Sequence, residues 1–166
     1  MLIGLTQIAS AQTTQVADPE FSIERGFYSA TIQVALSSPT TGASIRYTTD
    51  GSTPTEANGT LYSSPIAINT TTPLRAVAYK SGLNNSDLVT HSYLYLADVI
   101  QQDNSPAGYP SDFSENYDDN GPYPADYEMD PEVTNDSDYS SIMDDALLAL
   151  PTLSIVTDVD NLFNEV

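Results

Sequence analysis

Every cation in this chain lies before position 81, and sixteen of its acids lie after position 102. Charge segregated in this way divides the 166 residues into two regions of different physics. Residues 1–100 set Arg25, Arg46, Arg75 and Lys80 against seven acids, close to balance. The remainder holds sixteen carboxylates and no counter-charge. Self-repulsion lengthens such a segment, and residues 101–126 add Pro, Gly, Asp and Tyr without apolar periodicity. Residues 99–137 are therefore expected to form an acidic Tyr/Asp/Pro-rich linker, extended and largely irregular.

The same charge excludes classes of function. A net charge of −19 with four scattered cations is the opposite of a phosphate-binding footprint, so nucleic acid is not an expected partner. An anionic membrane surface is disfavoured for the same reason. The chain has no cysteine, hence no disulfide, thiol nucleophile or thiolate metal site. His91 is the single histidine, which rules out multi-histidine metal centres. No cofactor is expected.

Residues 1–8 form a short apolar run, followed by Ala9, Ser10 and Ala11. Small residues at the first and third of those positions fit a signal-peptidase site with cleavage before Gln12. A basic n-region is missing, so an internal methionine of a longer frame and a first β-strand stay open beside export. Residues 1–17 are read as a signal-peptide remnant or leader. The run falls short of the roughly 20 apolar residues of a membrane-spanning helix, and membrane insertion is not expected.

Between residues 18 and 98 the pattern is one of short strands and turns. Residues 31–36 alternate strictly, with Ile32, Val34 and Leu36 on one face. Residues 43–48 alternate again, with Ile45 and Tyr47 inward and Arg46 and Thr48 outward. Asp50, Gly51 and Pro54 then supply dense turn chemistry, a structural turn motif. Leu61–Tyr62 and residues 65–68 read as short edge strands. Residues 74–79 put Leu74, Ala76 and Ala78 on one face, and residues 87–96 give the longest strand candidate. No helical period intervenes, so the fold class is all-β, an antiparallel sandwich. Further on, Tyr139, Ile142, Met143, Ala146, Leu147 and Leu150 recur at helical spacing up to Pro151, and residues 152–157 read as a strand. Residues 138–166 are expected to be the start of a following domain, truncated at Val166.

The run from Ile45 to Thr55, with Phe21-Ser22 and Gly26-Phe27-Tyr28 before it and Pro65-Ile66 and Leu74-Arg75-Ala76-Val77-Ala78 after it, resembles the chitobiase/β-hexosaminidase C-terminal domain family. The likeness covers about residues 18–96. It implies an immunoglobulin-like β-sandwich, noncatalytic, of the kind appended to exported bacterial glycosidases and other surface proteins. Residues 125–131, 145–148, 150–158 and 160–163 resemble the lead-in to a spore-coat-protein-H-like kinase domain. None of that kinase's nucleotide or metal machinery would lie in these residues.

Candidate sites are few. Asp50, Gly51, Glu56 and Asn58 could supply loop oxygens to calcium, but the ligand spacing is incomplete, and a tight turn requires Asp and Gly in any case. His91 lacks a Gly-x-Ser-x-Gly nucleophile turn and reads as a strand histidine. Asp118–Asp119 and Asp144–Asp145 fit a solvated charge run better than a glycosidase pair, which needs a cleft and one raised pKa. No catalytic residue and no metal ligand is expected. Sugars stack on aromatic faces, and Tyr28, Tyr62 and Tyr79, with Phe27, are the weak candidates for ligand binding. The chain is thus read as a fragment of an exported bacterial protein, secreted or at the cell surface. Its sandwich would be an accessory or spacer module whose partners are the neighbouring domains of the same polypeptide. A carbohydrate-binding module for polysaccharide is the alternative.

Overall fold

A computed structural model describes residues 14–113, 122–158 and 160–163. The proposed leader up to residue 13 lies outside them, as does the Asp118–Asp119 pair. The alternating residues 31–36 form two strands rather than one. After β1 (Glu20–Phe21) and β2 (Gly26–Phe27), β3 spans Ile32–Val34 and β4 Leu36–Ser37, with the chain stepping between partners at Ala35. Ser22 drives that step: its Oγ accepts from the Ala35 amide at 2.8 Å, and its own amide donates to the Ala35 carbonyl at 2.9 Å. The next strands are β5 (Ser44–Thr48), β6 (Thr60–Leu61), β7 (Ile66–Ile68), β8 (Thr72–Tyr79) and β9 (Val89–Leu94).

One layer is a five-stranded sheet in the order β2-β9-β8-β5-β6. Its centre is antiparallel, with Tyr47 opposite Ala76 and Leu74 opposite His91, and β2 joins the edge in parallel, Phe27 opposite Leu94. The facing layer consists of two antiparallel pairs, β1 with β4 and β3 with β7. The chain is an all-β sandwich over these residues. Between the layers, Val34, Leu36, Ile45, Ile68, Leu74, Ala76, Ala78, Tyr93 and Tyr95 make one buried cluster. The face predicted for residues 74–78 is the one that packs, with Leu74, Ala76 and Ala78 fully excluded from solvent. Alanine at two of those positions lets the facing layer approach closely, and close packing rather than cross-linking holds the two layers together.

Two tyrosines tie the layers with hydrogen bonds as well. The Tyr93 hydroxyl donates to the Ile23 carbonyl at 2.8 Å. The Tyr95 hydroxyl lies 2.9 Å from the Ala30 carbonyl and 2.8 Å from that of Ile68. Burial in apolar surroundings pushes both phenols above their ordinary pKa.

Several expectations are corrected by the packing. Val16, assigned to the leader, is buried in the core, and Gln15 bridges to Asn84, so the packed unit begins before Asp18. Arg46 and Thr48 do not simply point into solvent. Arg46 donates to the Gly59 carbonyl at 2.7 Å, and Thr48 is buried with its hydroxyl on the Ser52 carbonyl at 2.6 Å. The strand expected over residues 87–96 is β9 and ends at Leu94, and Leu96–Ile100 turn into a helix, α1. Asp98 in its first turn accepts from the Thr70 hydroxyl at 2.7 Å and the Thr71 amide at 2.6 Å, which hold its carboxyl below the ordinary range.

The acidic extension is not a plain extended spacer. Asp112–Phe113 (β10) pairs with Tyr123–Pro124 (β11). Short helices follow at Pro131–Thr134 (α2), Ser137–Ser140 (α3), Met143–Leu148 (α4) and Asp160–Phe163 (α5). The single helix expected before Pro151 is broken at Ser141–Ile142. Asp130 and Asp136 cap α2 and α3 by accepting from the amides of Glu132 and Asp138, whereas α4 starts after Ile142 with no side-chain cap. Residues 152–157, expected as a strand, run without strand pairing, and Leu153 is 84% and Ile155 71% exposed.

The core analysis gives a direct expectation. Leu74→Ala should destabilise the fold by about 2–5 kcal/mol through lost burial and a residual cavity. The urea midpoint checks it, and a loss under about 1 kcal/mol would place Leu74 outside the folding core.

Candidate functional site

The three candidate tyrosines stand in different surroundings. Tyr28 is half-buried against the core, tilted over Tyr93 at 5.7 Å between centroids, with its hydroxyl donating to the Glu24 carbonyl at 2.6 Å. Tyr62 also packs against the core, where its amide donates to the Ile45 carbonyl. Tyr79 ends β8 opposite Ser44, in phase with Arg75 and Val77 and so on the other face of the sheet. The three rings therefore do not share a surface. Phe27 is 37% exposed and stands between two shallow cavities.

The turn residues act together. Asp50 Oδ1 accepts from the Ser52 amide at 3.0 Å and from the Ser52 hydroxyl at 2.6 Å. The hydroxyl bond first, then the amide bond, hold the Asp50 carboxyl below its ordinary pKa. Gly51 is buried at φ +84°, a left-handed conformation that Asp-Gly sequences favour, and Pro54 is buried behind it. Asn58 donates its side-chain amide to the Thr53 carbonyl, closing the loop from within. Among the described residues no group of three or more His, Asp or Glu side chains could hold a metal ion.

Arg75 is the group that a sequence reading passes over. It sits in β8 with only 7% of its surface exposed. Its guanidinium donates to the Gly51 carbonyl and lies 3.8 Å from the Asp158 carboxylate. A cation flanked by Leu74, Ala76 and Val77 was the available signal, since a buried arginine requires partners. Those partners lie 24 residues upstream and 83 downstream, where strand periodicity cannot find them.

Beside Arg75, the outward residues of β9 and β2 form a cavity of about 490 Å³, lined by Arg25, Phe27, Thr90, Ser92 and Leu94. Its other wall is Thr152, Leu153, Ser154 and Val156. A second cavity, about 330 Å³, lies between Phe27, Tyr28 and Tyr95 on one side and Asp144 and Leu148 of α4 on the other. These spaces separate the sandwich from its own extension.

Residues 23–90 match the family model of the chitobiase/beta-hexosaminidase C-terminal domain. That family is a noncatalytic β-sandwich module. The match runs from just before β2 to the second residue of β9. It ends well before the residues likened to a kinase lead-in, and nothing supports that second resemblance. No curated protein and no solved structure matches the chain.

His91 is buried in β9, where its ring stacks on Phe21 at 4.2 Å and Nδ1 lies 3.4 Å from the Ile23 carbonyl. Burial lowers its pKa against the opposing pull of that carbonyl and of Glu24. A depressed folded-state value means that the stability tied to neutral His91 is present above the unfolded pKa of about 6.5 and is lost as pH falls through the folded value. The urea midpoint should therefore drop between pH 7 and pH 5, and His91→Phe should reduce that drop. An unchanged drop in the variant would assign it to other groups.

The glycines give a second expectation. Gly51→Ala should cost about 1–2 kcal/mol for its left-handed backbone alone. Gly59→Ala should cost more, because at φ +91° its Cβ would also stand 2.6 Å from the Tyr47 carbonyl oxygen. Thermal melts of the two variants check the order.

Proposed function

We propose that the sandwich is a noncatalytic accessory module that positions a neighbouring part of the same polypeptide outside the cytoplasm. The observation carrying this reading is the family match itself, residues 23–90, which spans β2 to β8 and the first two residues of β9. Two further features support it. Tyr28 and Tyr62 are engaged in the core, and His91 is buried against Phe21. The extracytoplasmic setting is supported by the family's occurrence in secreted glycosidases. Among the described residues no helix is long and apolar enough to cross a membrane.

An accessory role predicts an inert surface toward polysaccharide. The full chain, mixed with insoluble chitin, cellulose and peptidoglycan, should remain in the supernatant at the level of a non-binding control protein. It should also leave aryl glycosides intact. Depletion on any one polymer, abolished by Phe27→Ala or Tyr79→Ala, would make carbohydrate binding the function instead.

A further inference from the structure

An isolated β-sandwich has two outward sheet faces in water. Here β8 is buried on both sides, since Arg75 and Val77 on the outward face keep only 7% of their surface exposed, against none for Leu74, Ala76 and Ala78 on the inward one. Register explains what lies beside Arg75: it is opposite Thr90, Pro73 is opposite Ser92, and Phe27 is opposite Leu94, which places these side chains in one continuous outward patch. Across that patch runs the segment 152–158. Ser154 Oγ meets Ser92 Oγ at 2.6 Å. Four residues later, Asp158 reaches Arg75 at 3.8 Å and accepts from the Thr53 hydroxyl at 3.3 Å. The Thr157 carbonyl passes over Gly51, 3.7 Å from where a Cβ would stand.

We propose that the outward face of β2, β9 and β8 is a docking groove for the segment 152–158 of the same chain, with Arg75 as its anchor. This deepens the accessory reading, on which it rests, by naming the surface through which the module positions what lies beyond the acidic stretch. Two arguments identify the occupant. Charge complementarity is the first: two of the chain's four cations, Arg25 and Arg75, belong to this patch, and the segment that covers it comes from the region with no cation at all. Pattern is the second. Ser154 meets Ser92, Val156 lines the cavity together with Thr152 and Leu153, and Asp158 meets Arg75, while Ile155 stays exposed. Arg75 needs this carboxylate, because a buried guanidinium without an anion is costly. The acidic stretch then acts as a return loop whose far end is held on the sandwich, rather than as a free tether.

The absence of native cysteine makes the test clean. A full-length Ser92→Cys/Ser154→Cys variant places two thiols where hydroxyls already touch, close to the roughly 2.05 Å sulfur separation of a disulfide. Its thiol–disulfide equilibrium against glutathione reads the effective concentration of one site at the other. The same variant in concentrated guanidinium chloride gives the free-tether value, on the order of millimolar. A docked segment should exceed that value by at least about tenfold, and adding Asp158→Asn should lower the excess several-fold. Equal values folded and unfolded, with circular dichroism showing the sandwich intact, would overturn docking. An excess unaffected by Asp158→Asn would overturn the anchor. Should the double variant fail to fold, Asp158→Asn in the otherwise native chain serves: amide resonances of Gly51, Thr53 and Arg75 should shift, and changes confined to residues 156–160 would refute the contact. Either failure leaves the accessory reading to stand or fall on the polysaccharide assay.

Discussion

Strand β8 is buried on both faces, and the two faces are covered by different physics. On the inward side, Leu74, Ala76 and Ala78 meet the facing layer with no solvent between, and apolar burial of this kind is the dominant favourable term in a chain without disulfides. On the outward side, Arg75 demands oxygen partners and receives them from the Asp50–Pro54 turn and from Asp158. The first requirement builds the sandwich. The second brings together a turn at residue 51 and a segment at residue 158, which the Thr53 hydroxyl also joins by donating to Asp158.

The hydrogen bonds of the fold follow the same division. Within the sandwich, hydroxyls bridge elements that the strand ladders leave unconnected: Tyr93 to Ile23, Tyr95 to Ala30 and Ile68, Ser22 to Ala35, and Thr70 to Asp98. Beyond α1, most polar contacts are local, with Asp side chains capping the next turn of backbone. That contrast fits the charge distribution. An acidic stretch gains by pairing its carboxylates with nearby amides and loses by gathering them into a core. Tyr109, Tyr127 and Phe163 also cluster there, in edge-to-face contact at 5.3–6.4 Å.

Three titratable side chains of the sandwich are taken up by structural contacts. His91 is stacked and hydrogen-bonded in the core, Asp50 is committed to Ser52, and Asp98 to Thr70 and Thr71. The groove on the outward face brings Arg25, Phe27, Thr90 and Ser92 together, and a segment of the chain itself forms its other wall.

Much of the sandwich was legible in the sequence, because strand alternation and turn chemistry are local. Leu74, Ala76 and Ala78 share a face by period alone, Asp50-Gly51 turns by backbone preference alone, and the family resemblance rides on the same residues. The charge split after Lys80 likewise marked out two regions without reference to coordinates. Long-range pairing was not legible. The step at Ala35 depends on Ser22, the core position of Val16 on Asn84, and the burial of Arg75 on Asp158, each a contact between residues far apart in the chain. The sequence by itself determined an all-β unit with an acidic extension, since periodicity and charge act between neighbours. Only the tertiary structure decided that the extension returns to the sheet, because a buried cation is satisfied by whichever carboxylate the fold can bring within reach, and that is a matter of geometry in space rather than order along the chain.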